Sequence, residues 1–151
     1  MAHIIRSRCY QLEVPTGFPP MVCDVRGGAL VGAWVEKIDA PVLTWALFCQ
    51  MPLRPAGTDF QRKIWHTLVQ IPFGQVVSYA QLAQMAGVPR AVRAVGQAVG
   101  RNPILWRIPC HRVVRADGHI GGFSAGIEFK RLFLQYENII ISPDNEIMFN
   151  L

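Results

Sequence analysis

The 151-residue chain has no Cys-x-x-Cys pair and no apolar run near the roughly 18 residues needed to cross a bilayer. The first absence tells against a zinc ribbon. With only Cys9, Cys23, Cys49 and Cys110 available, it also tells against a disulfide framework in a reducing compartment. The second removes a membrane-spanning helix, and the start, "MAHIIRSRCYQ", is too polar for a secretory signal, so an intracellular protein is expected. Charged residues are scarce at 17%, and the 10 acidic against 15 basic side chains leave a net charge of +5. At 51% hydrophobic the chain is far from a disordered composition. A basic balance suits a nucleic-acid partner, because each phosphate neutralised by Lys or Arg releases counterions. Many basic proteins bind no DNA, however, so motifs must decide.

Residues 1–52 alternate β-branched stretches with turns: "CYQLEV", "PTGFPP", "MVCDV", "RGG" and "ALVGAWVEK". A hairpin at Arg26-Gly27-Gly28 with a third strand before it predicts a small antiparallel sheet. Trp34 and Trp45 read as packing residues, and Cys9, Cys23 and Cys49 as small buried hydrophobes. A zinc site using Cys9, Cys23 and a histidine would match no familiar spacing, so no metal is expected. "MPLRPAG", with two prolines and a glycine, marks a linker at 53–57 before a second domain over 58–151.

That second domain reads as mostly helical. Thr58 with Gln61, and Ser78 with Gln81, match capping boxes. The first opens a helix with Phe60, Ile64 and Leu68 on one face; the second opens "YAQLAQMA". Gly87 turns the chain and Pro89 presets entry to "RAVRAVGQAVG", completing a helix-turn-helix within an α+β fold. On this third helix Arg90, Arg93, Gln97 and Arg101 share one side, and Val92, Val95 and Val99 the other. Small residues, Ala94 and Gly96 among them, allow close approach to a groove or to a neighbouring element. A helix laid on DNA and a helix packed inside the protein both fit, and the first fits better. "ILWRIP" predicts a buried strand, "IEFKRLFLQYE" a last helix, and the tail "NIIISPDNEIMFNL" either a strand closing the sheet or a frayed end.

Between strand and last helix lies "IPCHRVV", followed by a loop with glycines 118, 121, 122 and 126. A thiol of ordinary pKa is little ionised at neutral pH, so a nucleophilic Cys110 needs a base. His111 is adjacent, although neighbours on a strand point to opposite faces; a turn or a bridging water would restore the link. A carboxylate would orient the imidazole, with Asp117, Glu128 and Glu137 as candidates. A structural cysteine beside a satisfied histidine stands as the equal alternative on these residues alone.

Taken together, "GTDFQRKIWHTL", "IPFGQVVSYAQLA", "RAVRAVGQAVGRNP", "IPCHRVV" and "GGFSAG", spread over 57–138, resemble the O6-alkylguanine-DNA alkyltransferases, also called methylated-DNA-protein-cysteine methyltransferases. The resemblance implies that a guanine alkylated at O6 is flipped out of double-stranded DNA and that Cys110 takes the alkyl group irreversibly, one lesion per molecule, with no cofactor. It makes His111 the base acting through a water, Glu137 the residue orienting it, and Asn102 the hinge between recognition helix and active-site strand. Arg93 becomes the finger filling the vacated base position and Tyr79 the residue crowding the 3′ phosphate. Arg90, Ala94, Gln97 and Arg101 fall on the DNA-facing helix, which in this family enters the minor groove. The carbonyls of Cys110 and Val113 would accept from the guanine amino group, Ser124 would contact O6, and Phe123, where the family often has tyrosine, would keep a stacking wall without its hydroxyl. Ala125 replaces a frequent glycine, so both departures bear on which alkyl groups fit. A monomer in the cytoplasm, associated with the nucleoid if prokaryotic and with no membrane partner, is the matching expectation. The alternatives are a non-catalytic alkyltransferase-like lesion sensor, which resembles this chain but carries another residue in the cysteine's place, and a transcription regulator with Cys110 as a redox sensor.

Overall fold

β1 (Arg8–Glu13), β2 (Met21–Arg26) and β3 (Ala29–Val35), each rich in β-branched and apolar residues, form an antiparallel meander. Gly27 and Gly28 both take positive φ, 55° and 75°, the pair that a tight hairpin turn of matching twist requires. The computed structural model in which these elements are seen describes residues 8–148. It adds a fourth strand, β4 (Val42–Thr44), pairing parallel with β1, so the sheet runs β3-β2-β1-β4 and is mixed where three antiparallel strands were expected.

A short helix unmarked by any periodicity follows, α1 (Trp45–Gln50), started by Thr44, whose hydroxyl accepts from Leu47 N at 3.3 Å. Its end is closed by Arg107, which donates to the carbonyls of Phe48 and Met51. The predicted strand through "ILWRIP" is not formed. Instead Pro103–Arg107 makes a single bridge with β3, Ala33 N donating to Pro103 O at 2.9 Å and Leu105 N to Ala33 O at 3.0 Å. Trp106, at φ 72°, then breaks the extension. The break seats Trp106 against Phe18 and Trp45, with ring centroids 5.1 and 6.0 Å apart, so Trp45 packs as expected. Of the three cysteines expected in the core, only Cys23 is buried; Cys9 is half-buried and Cys49 exposed.

The strands, α1 and Pro103–Arg107 form one compact unit, up to Ala56; the other comprises Gly57–Asn102 and the chain from Ile108 onward. In the second unit α2 (Asp59–Val69) and α3 (Tyr79–Met85) both begin with complete reciprocal capping boxes. Gly87, at φ 75°, turns α3 into α4 (Val92–Gly100). Ile64, Trp65 and Leu68 of α2, Leu82 and Ala83 of α3, and Val95, Ala98 and Val99 of α4 form the core between the three helices. Each fully buried large aliphatic side chain is worth roughly 1.5–3 kcal/mol. Val92 is exposed rather than buried, its place in the docked face taken by Ala98, whose carbonyl accepts from Trp65 Nε1 at 2.8 Å.

Cys110–Arg112 is a turn of 3₁₀-helix leading into β6 (Val113–Val114), which pairs parallel with β5 (Val77–Ser78). The last helix is α5 (Ile127–Tyr136). The tail neither joins the sheet nor frays before residue 148: Ile141 bridges Ile147, His119 bridges Glu146, and Arg131 donates to Ser142 O and Asn145 Oδ1. Ile120, Leu134 and Ile141 are buried together beneath it. Among the described residues no helix is long and apolar enough to cross a membrane.

Candidate active site

Cys110 opens the 3₁₀ turn, with Pro109 at its cap at φ −81° and ψ 63°. The turn removes the strand geometry that would have sent Cys110 and His111 to opposite faces. Cys110 Sγ accepts from Asn102 Nδ2 at 3.0 Å, and the same amide donates to Ile108 O at 2.6 Å. A buried asparagine therefore closes the chain around the nucleophile candidate and offers a donor to its sulfur. Burial pushes the Cys110 thiol above its ordinary range, opposed by the Asn102 hydrogen bond, the charge of Lys130 and backbone donors.

His111 and Glu137 are both fully buried at the side chain, with His111 Nε2 against Glu137 Oε2. Of the three candidate carboxylates Glu137 is the one at the histidine; Glu128 is exposed and Asp117 pairs with Arg115 at 2.6 Å. Glu137 also accepts from Gly74 N at 2.7 Å and from Arg112 Nε at 2.9 and 3.0 Å. Burial alone would raise the Glu137 carboxyl, but His111, Gly74 and Arg112 together hold it below its ordinary value. Burial lowers His111 despite the opposing pull of Glu137. The resting pair is thus a carboxylate accepting from a neutral imidazole at Nε2, which leaves Nδ1 as the basic nitrogen. Arg112 was not foreseen. It donates to Ile71 O at 2.5 Å and lies over Phe73, 5.9 Å from the ring centroid, so it anchors the carboxylate to the end of α2.

A cavity of about 320 Å³ opens on Cys110, lined by Tyr79, Gly96, Val99, Gly100, Gly122, Phe123 and Ser124. Tyr79 reaches it as the first residue of α3, beside the Ser78 cap. Burial, and then the charge of Cys110, raises its phenol pKa, so it stays a neutral hydroxyl donor. Phe123 packs edge-on against Phe133, with centroids 5.8 Å apart. Val113 is not part of this lining. It is fully buried, and its carbonyl accepts from Lys130 Nζ at 2.7 Å. The carbonyl of Cys110 accepts from Val113 N, closing the turn. Arg90, in the turn before α4, and Arg93, Ala94, Gln97 and Arg101 are all exposed. Ala94, Gln97 and Arg101 border a second recess with Thr58, Phe60 and Gln61 at the start of α2. No trio of His, Cys, Asp or Glu side chains able to hold a metal ion occurs among the described residues.

Residues 59–139 match the family model for the 6-O-methylguanine DNA methyltransferase DNA-binding domain. A methylated-DNA-protein-cysteine methyltransferase of Haemophilus influenzae is 49% identical over 92 residues, 61% of this chain and 51% of that protein. The chain spans about half the length of such curated relatives. Among solved structures, Mycobacterium tuberculosis OGT in complex with DNA superposes with a TM-score of 0.72 at 30% identity, covering 85% of this chain and 92% of that one. Atl1 of S. pombe, in complex with damaged DNA containing O6-carboxymethylguanine, superposes with a TM-score of 0.52 at 29% identity, covering 63% of this chain and 93% of Atl1.

Proposed function

The chain belongs to the 6-O-methylguanine DNA methyltransferase family, and from that premise we propose that it repairs double-stranded DNA by moving an alkyl group from guanine O6 to Cys110, once per molecule. The observation that carries this reading is a cysteine opening on a cavity of about 320 Å³ and followed in the same turn by a histidine buried against Glu137 and, through it, Arg112. The geometry supports the following course. A flipped guanine enters the cavity between Tyr79 and Phe123, and α4 presents Arg93, Gln97 and Arg101 to the duplex around a small-residue face at Ala94 and Gly96. Arg93 fills the place of the extruded base and Arg90 adds positive charge toward a phosphate.

Chemically the thiol and imidazole both rest neutral, so the proton moves on demand. The Cys110 proton passes through a water to His111, and Glu137 stabilises the imidazolium that forms. Sulfur attacks the alkyl carbon; the S–C bond forms while the C–O6 bond breaks, its electron pair going to the base. Guanine then takes a proton back, hydrogen-bonded by Ser124 and Tyr79. The thioether has no hydrolytic exit in this site, which makes the reaction stoichiometric. No cofactor takes part, and the protein acts as a monomer in the cytoplasm.

The test is incubation with a duplex bearing one O6-methylguanine. Lesion loss should saturate at one per protein molecule, and Cys110→Ser should abolish it while still binding duplex. Undiminished repair by that variant would overturn the reading. The non-catalytic lesion-sensor alternative draws on the structural likeness to Atl1. It predicts binding without lesion loss, and the presence of Cys110 weighs against it.

A further inference from the structure

Gly121 is buried at a positive φ of 79°, and the three residues that follow it, Gly122, Phe123 and Ser124, form the wall of the cavity at Cys110. Two glycines in succession give this wall the freest start a chain can have, and a buried N–H at that point needs an acceptor. The acceptor is a side chain. Gly121 N donates to His119 Nδ1 at 2.9 Å, which requires an imidazole bare at Nδ1 and protonated at Nε2. The transfer chemistry described above makes no use of this histidine.

His119 itself stands on a fixed base. Its N–H donates to Asp117 Oδ1 at 3.1 Å, its carbonyl accepts from Arg115 N at 2.9 Å, and Gly118 N closes the turn on Arg115 O at 3.1 Å. The tail grips the same stretch from the other side: His119 bridges Glu146, Ile120 N donates to Asn145 O at 2.9 Å, and Ile147 N donates to Gly118 O at 2.8 Å. Asp117 Oδ2 accepts from Arg115 Nη2 at 2.6 Å, so that carboxylate bonds the backbone and the arginine. The imidazole is the link that carries position from a doubly anchored turn into the cavity wall.

We propose that His119 is a positioning residue that sets how large an alkyl group the site accepts: through Gly121 it holds the wall of the cavity inward at Cys110. The inference rests on the repair reading above and deepens it with a residue that touches no substrate. Phe123 and Ser124 follow Gly121 closely in the chain, so a rotation about Gly121 moves both. Without the imidazole acceptor the Gly121 amide turns toward water to be satisfied, and the wall moves out with it. A methyl group is then held less well against the sulfur, while a bulkier group gains room.

The test compares single-turnover transfer from duplexes bearing O6-methylguanine or O6-benzylguanine. In His119→Leu, which keeps bulk and removes the acceptor, the benzyl-to-methyl rate ratio should rise about fivefold, the scale of one neutral hydrogen bond. His119→Asn, which offers an amide oxygen in place of Nδ1, should keep the wild-type ratio. A general loss of structure slows both substrates alike, so an unchanged ratio in His119→Leu, or one raised equally in His119→Asn, overturns the proposal. Should His119→Leu not fold, hydrogen exchange of the Gly121 amide in wild-type protein serves instead, with Cys110 alkylated by methyl iodide or by benzyl bromide. The amide should be protected beside the methyl group and exchange faster beside the benzyl group; equal exchange in both overturns the proposal. Wild-type protein that takes neither group from DNA sinks the repair reading, and the exchange comparison, which needs no DNA, still decides whether His119 holds the wall.

Discussion

Two cysteines of this chain are buried, and they sit in opposite surroundings. Cys23 stands in the middle of β2 between β1 and β3, and burial pushes its thiol to about 12, helped by Cys9 and Asp24 and opposed only by a backbone hydrogen bond from Tyr10. Cys110 is pushed in the same direction by burial, but an amide, an ammonium and backbone donors oppose it, and a cavity opens on its sulfur. Burial by itself makes a thiol inert. What separates a reactive cysteine from a packing one is the set of polar groups buried with it.

That contrast can be broken most severely at the sulfurs themselves. Cys110→Ser is expected to reduce repair to background with duplex binding retained, as followed by lesion loss and by gel shift. Cys23→Ala should repair at the wild-type level per folded molecule and lose about 1–2 kcal/mol in urea unfolding, the cost of a small core cavity. Next in size, Glu137→Gln keeps the shape of the relay and removes its charge. Transfer at neutral pH should slow about 10²-fold in single-turnover kinetics, the scale of a lost general-base contribution.

A pH dependence sharpens the comparison further, because His111 and Glu137, both buried and both shifted from their ordinary values, lie next to the Cys110 turn. His111 has a folded pKa below its ordinary 6.5, so the unfolded chain binds the proton more readily. Stability is therefore full above 6.5 and falls as pH drops through that value. Glu137, held below its ordinary 4.5, adds a further loss as pH falls below that. Urea midpoints should decline between pH 7 and 5, and His111→Phe should flatten that decline. The smallest stability effect is expected at Arg93→Ala, an exposed site: within about 0.5 kcal/mol of wild type, with repair clearly slowed. Equal losses of repair and stability would show Arg93 to be a packing residue.

Where local chemistry decided the structure, the sequence was readable. Thr58–Gln61 and Ser78–Gln81 announced two helix starts, Gly27–Gly28 the hairpin and Gly87 the turn into α4. Where tertiary contacts decided it, reading failed. "VLTWALFCQ" has neither the period of a strand nor that of a helix and divides into β4 and α1 at the Thr44 cap. "ILWRIP" looks extended until Trp106 turns to positive φ among aromatic neighbours. Ionic residues near the nucleophile are hidden for a related reason: charged side chains are ordinarily solvent-facing, and no local motif marks Arg112 or Lys130 as turned inward. A lysine on the apolar side of α5, in line with Phe133, Leu134 and Glu137, was nonetheless a signal that a helical projection carries. The motif around Cys110 suggested the histidine, but the 3₁₀ turn that frees Cys110 and His111 from strand geometry was visible only in the fold.

The most direct measurement uses the chain's own cysteines as controls. After reaction with a duplex containing O6-methylguanine, peptide mapping by mass spectrometry should find one methyl group on the Cys110 peptide and none on those of Cys9, Cys23 or Cys49. Folded protein whose four cysteine peptides all return unmodified, or a methyl group found on exposed Cys49 instead, would contradict the account.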